Sequence, residues 1–153
     1  TALADRWGLE LSHISEGESP QETLSKPSAQ LGLVRFCGDV ARQRPEGGCW
    51  LDALADWRQP LVLMVAGEAG GGIPGSAAAY AALCHQLGAP LIGLVLIGSQ
   101  WNRLQRRRDG LPWMGWIPAA GVPERELALD HLVQELSRRS ITAAATGAGA
   151  HRP

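Results

Sequence analysis

A glycine-rich segment is the part of this sequence whose spacing could bind a phosphate group. Gly70–Ser76 has the G-x4-G spacing of a phosphate loop and lies between a predicted strand and a predicted helix. Backbone N–H groups at such a helix start can bind an anion. A phosphate loop carries Lys after its second glycine, but Ser76 stands at that position. We therefore interpret the segment as a flexible strand–helix connection in which Ser76 caps the helix.

A second candidate for anion binding is an arginine cluster formed by Arg103, Arg106, Arg107 and Arg108. Guanidinium groups pair well with phosphate and carboxylate. The cluster follows a predicted strand, and open α/β sheets bind ligands near the carboxyl ends of strands. We favour a solvent-exposed connection in which Trp101 packs on the surface. Contact of Arg107 or Arg108 with a ligand is the alternative.

The histidines and cysteines do not have the spacing of a metal site or a disulfide framework. The four histidines are scattered, and we expect His85 and His131 on helix surfaces. The three cysteines include no Cys-x-x-Cys pair, which favours reduced thiols and a cytoplasmic location. We expect Cys37 and Cys84 to be small buried apolar residues. No Gly-x-Ser-x-Gly elbow supports a Ser-His-Asp triad, so we predict no catalytic residue. No His pairs with a Cys or a carboxylate at metal spacing, so we predict no metal ligand.

Composition excludes several classes of partner. The formal net charge of -1 gives no electrostatic reason to expect nucleic-acid binding. The apolar runs are much shorter than the roughly 20 residues of a membrane span, so we expect no membrane association. Because the chain has 153 residues, we predict one α/β domain over 1–139, followed by a disordered tail over 140–153.

Alternating strand and helix patterns must position these groups. Apolar segments predict strands at 59–67, 89–98 and 110–118, with a further candidate at 30–38. Helices are predicted at 1–11, 50–57, 76–87 and 123–139, and a loop at 12–28. Residues 91–97 are apolar on both faces, which is typical of a parallel strand covered by helices on both sides. The alternation predicts a mostly parallel sheet with helices on both faces.

The spacing of the tryptophans and of the apolar residues in the last helix predicts which side chains share a face. Trp50 and Trp57 lie seven apart, on one predicted helix face, and Trp113 and Trp116 on different faces of the last strand. The apolar side of the last helix is predicted to contain Leu127, Leu129, Leu132, Val133 and Leu136.

The order of these segments resembles the ATP-dependent dethiobiotin synthetase family of P-loop NTPases. The similarity is carried by Leu33-Val-Arg-Phe-Cys-Gly-Asp39, by residues 50–65, by Leu87-Gly-Ala-Pro-Leu-Ile-Gly-Leu-Val-Leu96 and by Leu111-Pro-Trp-Met-Gly-Trp-Ile-Pro118. It implies a P-loop NTPase-like fold, ATP and Mg²⁺ as cofactors, and a homodimer. The implied reaction is closure of the ureido ring of biotin from 7,8-diaminononanoate and CO₂. Gly38 would then lie on the phosphate side, and Pro118, Ala119 and Ala120 on the adenine side.

The sequence also departs from that family. The family's amino-terminal strand and its Lys-bearing phosphate loop have no counterpart, which suggests the carboxyl-terminal two thirds of a longer protein. The metal-side Glu falls on Arg35, and the adenine-reading Asn falls on Ile97. We therefore expect this chain to be inactive alone. Two alternatives are a degenerate, non-catalytic relative that acts as a binding or interaction module, and a piece of a ParA-like or cobyrinate-synthase-like ATPase.

Overall fold

The strands form two separate parallel sheets. The structure is a computed structural model that describes residues 2–25 and 32–148. The first sheet pairs β1 (Glu10–Ser15) with β2 (Gly32–Cys37). The second has the order β3-β4-β5, with β3 at Leu61–Ala66, β4 at Leu91–Ile97 and β5 at Trp113–Ile117. The predicted α/β class with parallel strands is confirmed.

Six α-helices accompany the strands in the described ranges. They are α1 (Ala2–Trp7), α2 (Pro20–Leu24), α3 (Trp50–Asp56), α4 (Ser76–Leu87), α5 (Arg103–Arg108) and α6 (Arg125–Ala148). A short 3₁₀ turn, Ala69–Gly71, follows β3. The predicted cap at Gly88 is confirmed, with a left-handed φ of 71°. The residue that caps the start of α4 is Gly75 rather than Ser76, which is the first helical residue.

Helices cover both faces of the three-stranded sheet. On one face, Val95 of β4 and Met114 of β5 pack against Leu132 and Leu136 of α6. On the other face, Leu94 packs with Val65 of β3 and with α4. Residues Gly93–Leu96 of β4 are buried because β4 is the central strand and both of its faces are covered. The prediction of helices on both faces is confirmed for this sheet.

The same helical layers join the two sheets. On one face, Trp50 of α3 meets Phe36 of β2 with ring centroids 5.1 Å apart, while Leu51 of the same helix packs in a cluster with Leu61 of β3. On the opposite face, α1 contacts β1 and α6. Yet β2 and β3 belong to different sheets, and no ladder joins them within the described residues. We call the break between the sheet that contains β2 and the sheet that contains β3 the β2–β3 gap.

The amino-terminal elements differ from the sequence prediction. Helix α1 ends at Trp7, because Gly8 turns the backbone with a φ of 68°. Residues 10–15, predicted partly as helix and partly as loop, form β1. In β1 only Leu11 and Ile14 are half-buried, so the alternation that marks a strand is weak. Pairing with β2, which is remote in sequence, makes this segment a strand.

The carboxyl-terminal helix is longer than predicted. It continues past Arg139 to Ala148, so the predicted disordered tail at 140–153 overlaps it, while residues 149–153 lie outside the described residues. Leu129, Leu132 and Leu136 are buried as predicted. Leu127 is 73% exposed, so its assignment to the apolar side was wrong.

Two predictions about tryptophans were wrong. Trp57 follows the end of α3 and is 49% exposed, whereas Trp50 is buried, so they do not share a packed helix face. Trp113 pairs with Leu94 and Trp116 with Leu96, because a bulge in the ladder inserts Met114. The extra residue brings both rings to one side of β5.

Candidate functional site

Acidic groups occupy the carboxyl ends of β1 and β2. Glu16 follows β1, and its Oε2 accepts a hydrogen bond of 3.1 Å from the backbone N–H of Asp39, which follows β2. Oε1 of Glu16 lies 2.7 Å from Nη1 of Arg42. Gly38 has a φ of 137°, and a Cβ there would lie 2.6 Å from Oε2 of Glu16. The predicted phosphate-side residue is therefore packed against a carboxylate.

A hydrogen bond connects the end of β2 to α4. Tyr80 Oη donates to Oδ1 of Asp39 over 2.6 Å, and the N–H of Ala41 donates to the same oxygen over 2.9 Å. The Tyr80 hydroxyl, followed by the Ala41 N–H, lowers the pKa of Asp39, and the carboxylate raises the pKa of Tyr80. Since α4 follows β3 after a loop of nine residues, 67–75, this contact joins the end of β2 to the first α-helix after β3.

The glycine-rich loop after β3 bonds to itself. The N–H of Glu68 donates to the carbonyl of Gly72 over 2.9 Å, and the N–H of Gly71 donates to the carbonyl of Glu68 over 3.1 Å. A Cβ on Gly72 would lie 3.0 Å from Oε2 of Glu68, so this carboxylate faces the loop. The N–H groups of Glu68 and Gly71 therefore donate within the loop, and the Glu68 carboxylate adds a negative charge beside it. Both features disfavour the binding of a phosphate. The interpretation as a strand–helix connection agrees with this arrangement.

The predicted adenine-side residues follow β5. Pro118 is buried, and its carbonyl accepts a hydrogen bond from Nη1 of Arg125. The carbonyl of Ala119 accepts from the N–H of Val122, and both Ala119 and Ala120 are exposed. Gly38 follows a strand of the other sheet. The structure thus places the four predicted residues at the ends of strands in two sheets.

The polar residues at the strand ends differ from those inferred from the sequence. Arg35 is exposed in the middle of β2, opposite His13, rather than at the end of the strand. Ile97 is the last residue of β4 and is 37% exposed. Glu16 was not predicted as a site residue, because β1 was not recognised, and its polar segment offered no signal. Asp39 was not predicted either, although its position directly after Gly38 was an available signal.

A cleft lies beside β5, between α5 and a group of tryptophans. We call it the Arg/Trp cleft; its volume is about 370 Å³, and it is lined by Trp101, Arg103, Arg106, Arg107, Gly110, Leu111 and Trp113. The ring of Trp101 stacks on Trp116, with centroids 5.6 Å apart, and meets Trp113 edge-on at 6.2 Å. The prediction of a solvent-exposed connection was therefore wrong in one respect: α5 is a helix, and one of its arginines is buried.

That buried residue is Arg106. It is only 8% exposed, and its guanidinium carbon lies 5.1 Å from the centre of the Trp113 ring. Nη2 donates to the carbonyl of Gly71 over 3.2 Å, and Nε lies 3.4 Å from Oδ2 of Asp109 without hydrogen-bond geometry. Nη1 is buried and has no hydrogen-bond partner among the described residues. A buried guanidinium with an unsatisfied N–H group normally costs free energy.

Cysteines and histidines contribute little to the loops at the strand ends or to the Arg/Trp cleft. Cys84 is fully buried as predicted, and burial raises the pKa of its thiol. Cys37 is exposed, so its predicted burial was wrong. His85 and His131 are exposed on helices, as expected. Among the described residues, no group of three or more His, Cys, Asp or Glu side chains is arranged to hold a metal ion. In the same ranges, no helix is long and apolar enough to cross a membrane.

Comparison with known proteins does not assign a family. No protein-family model matches the sequence, and no curated protein matches it at a significant level.

Proposed function

We propose that this chain is the scaffold part of a dethiobiotin synthetase-like protein and is inactive without one additional strand that carries a phosphate loop. The observation that supports the proposal is the β2–β3 gap. The loop that follows β2 is linked to α4, the first α-helix after β3, by the hydrogen bond from Tyr80 to Asp39. Both strands are also covered by α3, through Phe36 on one side and Leu61 on the other.

General dimensions of helices and strands allow one helix to cover two strands that are separated by a missing one. A helix with its side chains is about 10–12 Å across. Neighbouring strands lie about 4.8 Å apart, so two strands separated by one missing strand would be about 9.6 Å apart. A single helix can cover two such edges. Val34 on β2 and Met64 on β3 are 57% and 47% exposed, and an inserted strand with its own connections would shield such apolar groups.

The described residues do not by themselves fit ATP and Mg²⁺. Glu16 and Glu68 place carboxylates beside the glycines of the two strand-end loops, and these would repel a triphosphate. The only lysine of the sequence, Lys26, lies outside the described residues. With neither a lysine nor a metal cluster in the described part, the charge of a phosphoryl-transfer transition state would not be offset. We therefore assign no reaction step to the residues of this chain.

One observation favours a second candidate, the degenerate, non-catalytic interaction module. Gly38 contacts the Glu16 carboxylate, which Arg42 also pairs, so the predicted phosphate side is already occupied by the chain's own charges. In this case a strand could still pair in the β2–β3 gap, but nucleotide would not bind. A homodimer and a cytoplasmic location remain predictions under either proposal, as does a ParA-like or cobyrinate-synthase-like origin.

Calorimetry with Mg·ATP separates the two proposals. The chain as given should bind Mg·ATP no more tightly than about 1 mM. A longer protein that includes the codons preceding Thr1 should bind at micromolar concentration if those codons encode a strand and a Gly-x4-Gly-Lys loop. Micromolar binding by the chain alone would contradict both proposals. Absence of binding by a longer protein that carries the loop would contradict the scaffold proposal and favour the interaction module.

A further inference from the structure

Positive charge is concentrated at the Arg/Trp cleft. The Arg/Trp cleft flanks the far edge of the three-stranded sheet, next to β5, whereas the gap borders β3. Four of the fourteen Lys and Arg residues of the chain lie in the six residues of α5, although the whole chain has a net charge of -1. Three of these four arginines line the cleft.

The positive charge of the cleft is only partly compensated by neighbouring groups. Asp109 is the nearby carboxylate: Oδ1 accepts hydrogen bonds from the N–H of Leu111 and from Nε1 of Trp113, and Oδ2 pairs with Nε of Arg106. Arg103 and Arg107 are exposed and have no ion pair among the described contacts. One carboxylate therefore faces three guanidinium groups, and an anion with two negative charges would balance them.

The walls of the cleft add an aromatic element. Trp101 and Trp113 both line it, and the indole of Trp101 is held in place by stacking on Trp116. Trp113 is held by the hydrogen bond of 2.8 Å to Asp109. Fixed indole rings favour flat ligands, since little side-chain entropy is lost when a ring packs on them. The cleft has a volume of about 370 Å³ and is open to solvent, so a ligand there would be only partly enclosed.

Arg106 gives a separate indication of a ligand. Its side chain is more than nine-tenths buried, yet Nη1 has no partner in the described part of the chain. Proteins rarely leave a buried guanidinium N–H unsatisfied unless water, an ion or a ligand group completes it. Arg106 also lines the cleft, so an anion bound there would lie beside this guanidinium.

We propose that the Arg/Trp cleft binds a small aromatic phosphate monoester, with its phosphate paired to Arg103, Arg106 and Arg107 and its ring packed on Trp101. A phosphate monoester carries a charge of about -1.5 to -2 at neutral pH, which matches the uncompensated guanidinium groups. This proposal is independent of the function proposed above, because it uses neither the β2–β3 gap nor a nucleotide.

The test is calorimetry on the full chain with 1-naphthyl phosphate, compared with inorganic phosphate and with 1-naphthol. We expect one molecule of 1-naphthyl phosphate to bind, and each of the other two compounds to bind at least about tenfold more weakly. No binding at about 1 mM would overturn the proposal. Equal affinity for inorganic phosphate would also overturn it, because the aromatic walls would then play no part.

Variants on the same helix provide a matched control. Arg107→Gln should weaken binding of 1-naphthyl phosphate about tenfold, because a charge-assisted hydrogen bond is lost. Arg108→Gln removes the same charge from an exposed arginine that does not line the cleft, and should change affinity less than about twofold. Circular dichroism would verify that both variants fold. Equal effects of the two substitutions would mean that only long-range charge matters and would refute the site.

Trp101→Ala tests the aromatic wall. It should weaken 1-naphthyl phosphate about fivefold or more, while the weaker affinity for inorganic phosphate stays the same. Trp57→Ala is its control, since Trp57 is exposed and distant in sequence from the cleft. If both ligands lose affinity equally in Trp101→Ala, the ring-packing part of the proposal is wrong.

Discussion

Gly93→Ala is the sharpest test of how β4 and β5 are paired, and this pairing positions the Arg/Trp cleft. Gly93 is buried in the central strand. A Cβ at this position would lie 2.5 Å from Cγ and 2.9 Å from Sδ of Met114, and 2.7 Å from the carbonyl oxygen of Pro112. Met114 can shift, since its side chain is flexible. The carbonyl of Pro112 cannot shift freely, because it accepts the hydrogen bond from the N–H of Leu94 over 3.0 Å.

The expected loss of stability follows from these contacts. Relieving the Cβ contact strains the bulge and weakens the Leu94–Pro112 hydrogen bond. Overpacking typically costs about 1–3 kcal/mol, and a weakened hydrogen bond about 0.5–1.5 kcal/mol. Alanine also lowers the conformational entropy of the unfolded chain relative to glycine, which offsets about 0.4–1 kcal/mol of the lost stability. We expect a net decrease of about 2 kcal/mol in the free energy of unfolding, which lowers Tm by about 4–8 °C in a chain of this size.

Urea titration and thermal melting, both followed by circular dichroism, measure this difference. Gly17→Ala is the matched control, since a Cβ on Gly17 would meet nothing within 4 Å and its φ lies outside the left-handed range. Its effect should stay within about 0.5 kcal/mol. The reasoning would be refuted if Gly93→Ala were as stable as the control, because the bulge could not then lie against Gly93.

Two further predictions concern ionisable groups. Arg138 and Arg139 lower the pKa of Glu135 from 4.5 to about 2, so the carboxylate stabilises the fold above pH 4.5 and this contribution is lost as the pH falls towards 2. Glu135→Gln should therefore cost about 1 kcal/mol at pH 7 and almost nothing near pH 2; urea titrations at both pH values measure the difference, and a constant loss would contradict the assignment. Tyr80→Phe should raise the pKa of Asp39 towards its ordinary value, because the strongest of its hydrogen bonds is removed. Carbon-13 NMR titration of the carboxyl group measures this pKa, and an unchanged value would show that the two side chains are not bonded in solution.

The apolar segments predicted most of the second sheet. Strands β3 and β4 and helix α4 agree with the sequence within two residues at most ends, because continuous apolar runs and a glycine cap are local signals. Strand β1 was missed, since its exposed polar residues became a strand only through pairing with β2. The bulge at Met114 was also not predictable, because it depends on the fit between two strands rather than on either one.

In the candidate sites, too, some features were predicted from the sequence and others depend on the tertiary structure. The sequence indicated the glycine loop, Gly38 and the arginine cluster as groups able to bind anions, and the missing lysine already counted against a phosphate loop. It did not indicate that Glu16 would lie against Gly38, because the two are brought together by the pairing of β1 with β2. Nor did it indicate which arginine of α5 would be buried.

The sequence by itself determined the α/β class and the parallel strands, since these follow from local periodicity and short connections. Only the tertiary structure decided that, within residues 2–25 and 32–148, the strands form two sheets with unpaired edges at β2 and β3, and that Arg106 packs over Trp113. The physical reason is that strand pairing and side-chain burial depend on residues far apart in the chain. No local pattern specifies which distant groups will meet or which strand edges will stay unpaired.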